Sequence, residues 1–251
     1  MRIAVIGGTG LVGRHTVDAL ARDGHEPVVV ARSRGADLAT GEGLDDALTG
    51  ADAAIDVTNA YAADADEARR AFGAMTERLL EAEARAGVRH HVLLSILGID
   101  RLEGNAHYAG KRRQEELVEA GPVPATILRA TQFHEFAEMV VDRAIRDGVA
   151  QIPPLLVQPV AAADAARALA EAAAGPPQGR APDLAGPRPE DLVDMARRAL
   201  AARGRRVMLA PTWRGGVFGV EAAGEAMLPG PGARLAPTTF DAWLEESAAS
   251  A

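Results

Sequence analysis

Residues 2–20, RIAVIGGTGLVGRHTVDAL, decide the fold. Ile3–Ile6 is an uninterrupted apolar run, as expected of a strand buried on both faces. Glycines then stand at positions 7, 8, 10 and 13. Glycine costs conformational entropy in regular structure, so this density needs a reason. Past the glycines the spacing turns helical. Val12, Val17 and Leu20 lie along one side, and Gly24 ends the pattern. Gly7, Gly10 and Gly13 thus form G-x-x-G-x-x-G between a strand and a helix. A tight turn of this kind uses backbone angles that glycine adopts cheaply. A pyrophosphate laid against the turn would collide with a Cβ there, and Gly13 would let the helix close on the strand. Exposed N–H groups and the positive end of the helix dipole then hold the phosphates. The expectation is dinucleotide binding, and the alternative is a glycine-rich turn with no ligand.

Outward from this stretch the two periods keep alternating. Residues 26–33 (EPVVVARS) and 52–59 (DAAIDVTN) read as buried strands, with a short helix at 43–50 (GLDDALTG). Residues 66–88 read as a long amphipathic helix whose buried face includes Ala71, Met75, Leu79 and Ala82. Strand, helix and strand follow at 89–98, 107–121 and 124–133. At least five strand–helix alternations predict an α/β fold, a doubly wound parallel sheet covered by right-handed crossovers. After about residue 150 the texture changes to Pro/Gly-rich segments such as 151–160, 175–192 and 228–240, with helices at 162–174 and 189–204. The expected organisation is a dinucleotide-binding domain over 1–150 and a smaller C-terminal substrate region over 151–251, packed on the same domain.

Composition bounds the rest. The chain has 251 residues, no cysteine and a formal charge of -8. Disulfides, thiolate nucleophiles and cysteine metal sites are excluded. The acidic balance argues against nucleic acid as a partner, because phosphate contacts need a basic face. The basic runs KRRQEE (111–116) and ARGRRV (202–207) are diluted by acids and read as solvated positions. No apolar run reaches the roughly 20 residues of a membrane span, and the start lacks a signal-peptide pattern. The expectations are a cytoplasmic location, no membrane contact, a small-molecule substrate, and a monomer or homodimer.

The end of the second strand refines the cofactor. A site selective for NAD usually places Asp or Glu there to bond the adenine ribose. Here the strand runs into Arg32, Ser33 and Arg34 with no acid at its tip. A guanidinium fork suits a ribose 2′-phosphate, so NADP(H) is expected over NAD(H). The competing reading is two solvated loop arginines.

Taken in order, VIGGTGLVGRHTVDAL, VVVARS, DVTN, VLLSILGID, YAGKRRQEELV and ILRATQFHEF resemble an atypical short-chain dehydrogenase/reductase of the NmrA-like, NAD(P)H-binding type, over roughly residues 1–170. The resemblance implies a Rossmann fold with a small C-terminal substrate-binding region. It places Gly7, Thr9, Gly10, Leu11 and Val12 in the phosphate loop, Arg32 and Ser33 at the adenosine phosphate, and Asp37 and Leu38 beside the adenine. It also implies Thr58 and Asn59 at the ribose, Ser95 at the active-site serine position, and Phe133 at the nicotinamide pocket.

The same resemblance implies a tyrosine that exchanges a proton with the substrate and a lysine four residues later that touches the nicotinamide ribose. Lys111 is present, but His107 stands four residues before it and Tyr108 three. Both spacings share a helical face, yet the two rings diverge by about 100°. Tyr108, His107 or neither is the acid. His134 and Glu135 point apart on a helix and have no third ligand at a useful spacing, so no metal site is expected. The G-x-S-x-G elbow of a serine hydrolase is absent. The leading expectation is an NADPH-dependent oxidoreductase acting on a small carbonyl or quinone-like substrate. The alternatives are a non-catalytic redox sensor and an isomerase or epimerase that uses the cofactor transiently.

Overall fold

The structure, a computed structural model, describes residues 1–214 and 218–249. Its first strand is β1 (Arg2–Ile6), followed by α1 (Leu11–Arg22), β2 (Glu26–Val30), α2 (Leu44–Leu48) and β3 (Ala53–Asp56). Then come α3 (Ala65–Ala86), β4 (His91–Ile96), α4 (Ala106–Ala120) and β5 (Ala125–Ala130). β1 pairs in parallel with both β2 and β3, and β3 in parallel with β4. The spatial order β5-β4-β3-β1-β2 is that of a doubly wound, Rossmann-type sheet. After β2 the chain returns past β1 to build the other side, so the order reverses at β1 and β3. Ligands of such sheets bind outside the carboxyl ends of the strands at this reversal. Residues 7–13 and 57–59 leave the sheet there.

Two apolar clusters hold the layers. Ile6, Val30, Leu44, Leu48 and Leu79 belong to one, and Leu80, Leu93, Val118 and Ile127 to the other. α3 starts on Asp64, whose carboxylate accepts from the N–H groups of Asp66 and Glu67, and it ends at Gly87 with φ +74°. α3 and α4 pack closely because position 110 is glycine: a Cβ there would stand 2.3 Å from Cδ2 of Phe72.

Two details differ from the sequence reading. β2 is the edge of the sheet and only its last residue, Val30, is buried, because a strand paired on one side keeps a solvated flank. In α3 the buried stripe runs through Ala68, Phe72, Thr76, Leu79 and Glu83, leaving Ala71 and Met75 half-buried. The stripe includes a carboxylate because Glu83 meets His91 inside the core, with Nδ1 2.9 Å from Oε1.

The backbone divides into two compact units, Met1–Arg129 with Ala165–Pro182, and Ala130–Asp164 with the described residues from Asp183 onward. In the first, Gly179–Arg180 pairs in parallel with β5, and half-buried Arg129 joins the buried Glu115 to the exposed Asp100. The second contains α5 (Phe136–Ala144), while α6 (Ala162–Ala174) bridges the division in sequence. It also contains α7 (Leu192–Ala202), α8 (Phe240–Ala249) and short ladders such as Val149–Ile152 with Met208–Pro211.

Candidate functional site

The glycine turn is built from backbone contacts that exclude side chains. Gly7 has φ +83°, and its N–H donates to the Val30 carbonyl at 2.9 Å. A Cβ on Gly7 would stand 3.2 Å from the Val57 carbonyl oxygen, on Gly8 2.9 Å from that of Val5, and on Gly13 2.2 Å from that of Gly7. Gly10 differs. Its Cβ would meet only the Gly7 oxygen, at 3.3 Å, so the space above it is open. Gly10 also caps α1 without a side chain, and the first turn of α1 holds no acid. The first N–H groups of a helix have no partner within it, and no side chain here neutralises the positive dipole end. Thr9, Gly10 and Leu11 are exposed and Val12 is buried below them. A pyrophosphate fits this cradle: the missing Cβ leaves room and the N–H groups supply donors.

Past β2, Arg32–Arg34 forms a single 3-10 turn closed by Gly35 at φ +85°. Among the described residues neither the Arg32 nor the Arg34 guanidinium has a hydrogen-bond or ion-pair partner. Asp37 turns back to accept from the Ala39 N–H at 2.8 Å, and Leu38 packs partly into the core. At the end of β3, Oδ1 of Asp56 accepts from the N–H and the hydroxyl of Thr58, at 2.8 and 2.6 Å. Asn59 next to it is exposed. The contact of Gly7 with Val57 brings the phosphate turn and the Thr58 segment together.

α4 carries three of the candidates, His107, Tyr108 and Lys111. Asn105 caps it, accepting from the Tyr108 N–H at 3.1 Å. Tyr108 is 3% exposed, whereas His107 is half-buried. The His107 ring meets Phe72 edge-on at 5.5 Å, and the Lys111 ammonium lies 5.5 Å from the centre of that same ring. His107 and Lys111 thus both meet the Phe72 ring. Nζ of Lys111 donates to the Leu94 carbonyl at 2.8 Å and to Oε1 of Gln114 at 2.7 Å. Burial pulls the Lys111 pKa down to about 8, against the raising effects of Asp56 and Glu115. Ser95, one residue beyond that carbonyl on β4, has a buried hydroxyl oxygen with no hydrogen-bond partner among the described residues.

In the second unit, Phe133 forms a backbone bridge with Val160. His134 packs against Phe240 and Trp243, and its Nε2 lies 3.2 Å from the Thr238 carbonyl. Burial lowers the His134 pKa and raises that of Glu135. Among the described residues no three His, Cys, Asp or Glu side chains are grouped to hold a metal.

Residues 7–176, from the first glycine of the turn to the end of α6, match the family model described as NAD(P)H-binding. The chain belongs to the NAD(P)H-binding family. Within it, the chain is 32% identical over 144 residues to a (4-alkanoyl-5-oxo-2,5-dihydrofuran-3-yl)methyl phosphate reductase of Streptomyces griseus. That match covers 52% of this chain and 48% of the reductase, so the chain spans about half of that relative's length. A short-chain dehydrogenase/reductase superfamily protein from Agrobacterium tumefaciens, solved with bound NAD, has the same fold at TM-score 0.72 and 20% identity, covering 100% of this chain and 97% of its own. So does an NADPH-dependent quinone oxidoreductase from Escherichia coli, at TM-score 0.67 and 17% identity, covering 98% and 99%. The family gives this chain a nicotinamide dinucleotide as cofactor. No helix among the described residues is long and apolar enough to cross a membrane.

Sequence reasoning passed over Asp56 and Gln114, which hold Thr58 and Lys111 from behind. It also passed over a compositional signal. Lys111 is the only lysine of the chain, and every other of its 27 Lys and Arg residues is arginine.

Proposed function

We propose that this member of the NAD(P)H-binding family is an NADPH-dependent oxidoreductase that reduces small carbonyl or quinone-like substrates. The observation that carries the reading is the shared ring of Phe72, with His107 at its edge and the Lys111 ammonium 5.5 Å from its centre. It joins a titratable ring to a buried cation on the helix where the family resemblance expects the proton donor. In this reading His107 supplies the proton, being half-buried at the edge of the Phe72 ring. Ser95, with its unpartnered hydroxyl, offers a hydrogen bond to the substrate oxygen. The cofactor, when bound, supplies the hydride.

Gly7, Thr9, Gly10, Leu11, Val12 and Gly13 hold the pyrophosphate. Arg32, Ser33 and Arg34 hold the 2′-phosphate, which is why NADPH is preferred. Two unpartnered guanidinium groups at the end of β2 support that preference. Asp37 and Leu38 border the adenine, and Thr58 and Asn59 the ribose. Phe133 and the residues after 150 remain in the reading as contacts for nicotinamide and substrate. A reductase relative and a quinone oxidoreductase of the same fold are consistent with this chemistry.

The test is consumption of NADPH, followed at its absorbance, by purified protein with a panel of quinones and conjugated carbonyls. Turnover of one class supports the enzyme. Tight NADPH binding with no turnover across the panel would favour the redox-sensor reading, and tighter binding of NADH would overturn the cofactor choice.

A further inference from the structure

Behind the ribose edge the hydrogen bonds form one directed chain. The ammonium of Lys111 only donates, and the carboxylate of Asp56 only accepts. Gln114 stands between them, accepting from Nζ at 2.7 Å through Oε1 and donating to Oδ2 of Asp56 at 2.8 Å through Nε2. The direction of this amide follows from its neighbours' chemistry, since the flipped amide would face donor to donor and acceptor to acceptor. The remaining oxygen of Asp56 takes both the N–H and the hydroxyl proton of Thr58. Thr58 therefore meets any ligand with lone pairs only, and a ribose hydroxyl is the kind of donor that suits it. Lys111, Gln114 and Asp56 are 4%, 1% and 1% exposed, so water cannot stand in for a missing member.

We propose that Gln114 is a positioning residue: it ties Lys111 to the carboxylate that presents Thr58 as a hydrogen-bond acceptor for a ribose hydroxyl. The proposal rests on the dinucleotide reading of the site. Gln114 itself lies behind the ribose edge, so its effect passes through Asp56 and Thr58. The charged groups around the lysine are Asp56 on β3, Glu115 on α4 itself, and His91 on β4, which is paired with Glu83 of α3.

The single lysine makes the chain directly observable, because protein labelled with 13C,15N-lysine carries one lysine side-chain signal. Two quantities are measured: the titration midpoint of Lys111 in the free protein, and the dissociation constants of NADPH and NADH. Gln114→Met keeps the volume and removes the amide. It should lower the Lys111 midpoint and weaken NADPH about tenfold, the scale of a hydrogen bond to a charged group. Gln114→Glu is isosteric and serves also if the methionine variant does not fold. Its carboxylate should raise the midpoint while still weakening NADPH, because the donor to Asp56 is gone. Thr58→Val should lose a similar factor, and Gln114→Met/Thr58→Val should bind no more weakly than Thr58→Val alone. Unchanged midpoint and affinity in a folded Gln114→Met protein would overturn the proposal, as would fully additive losses in the double variant. Should the unaltered protein bind neither NADPH nor NADH, the dinucleotide reading itself falls. The Lys111 midpoint in the free variants then decides separately whether Gln114 links the lysine to Asp56.

Discussion

Gly13 lies so close to Gly7 that a methyl group on it would stand 2.2 Å from the Gly7 carbonyl oxygen. Gly10, between them, points its missing side chain at open space, with only that oxygen 3.3 Å away. Two glycines of one motif therefore fail differently. Gly13→Ala should cost about 1–3 kcal/mol of stability through forced overpacking of α1 on the turn. Gly10→Val should keep the melting temperature near that of the parent and abolish dinucleotide binding. Calorimetric titration and thermal melts of both variants check this, and retained affinity in a folded Gly10→Val protein would remove the phosphate from the turn.

Arg32→Ala should discriminate between cofactors. Only NADPH carries the 2′-phosphate, and a charged hydrogen bond contributes on the order of 1.5–3 kcal/mol. The loss for NADPH should be roughly tenfold or more, with NADH little changed. Equal weakening of both would mean that Arg32 does not read the phosphate.

His107→Gln should depress turnover by ~10²–10⁴-fold with NADPH affinity nearly unchanged. The pH–rate profile should lose a limb that Tyr108→Phe keeps. Tyr108→Phe, which removes the hydroxyl of a buried ring, should retain most of the rate. The reverse ranking would hand the proton to Tyr108.

The buried pair of His91 and Glu83 sets a pH dependence of stability. Desolvation opposes a charged ring, but the Glu83 carboxylate, aided by Asp56, carries the His91 pKa above its ordinary value. A raised folded pKa stabilises fully below the unfolded value of about 6.5, and the contribution disappears as pH rises through the folded value. Denaturant unfolding of the parent and of Glu83→Gln/His91→Gln should therefore diverge most below about pH 6.5 and converge as pH rises through the higher folded value. A gap that widens with rising pH would contradict the assignment.

The parts legible in the sequence are those governed by local constraint. The glycine turn could be read because Gly7 needs its backbone angle and Gly13 its close approach, whatever the rest of the chain does. Strand positions within the sheet could not, since VVV reads the same on an edge as in the middle, and β2 is an edge. On α3 the expected Leu79 and Ala82 are buried while Ala71 and Met75 are half-buried, and Glu83 joins the core by virtue of His91, a partner from another element. The choice between His107 and Tyr108 is open in the sequence for the same reason. Helical spacing leaves both rings beside Lys111, and Phe72, the ring that His107 and Lys111 both meet, comes from α3. Gln114 was invisible for want of any local signal, whereas the solitary lysine stood in plain view.

That solitary lysine gives the folded protein an unusual chemical surface. Its amine is enclosed by the Leu94 carbonyl, Gln114 and Phe72, so among the described residues no lysine amine is open to an activated ester in the folded state. Guanidinium groups do not react under such conditions. One additional equivalent of dye per molecule would be taken up only when α4 separates from the sheet. Labelling stoichiometry thus counts opening events in this half of the molecule, on a timescale set by the reagent rather than by the fold.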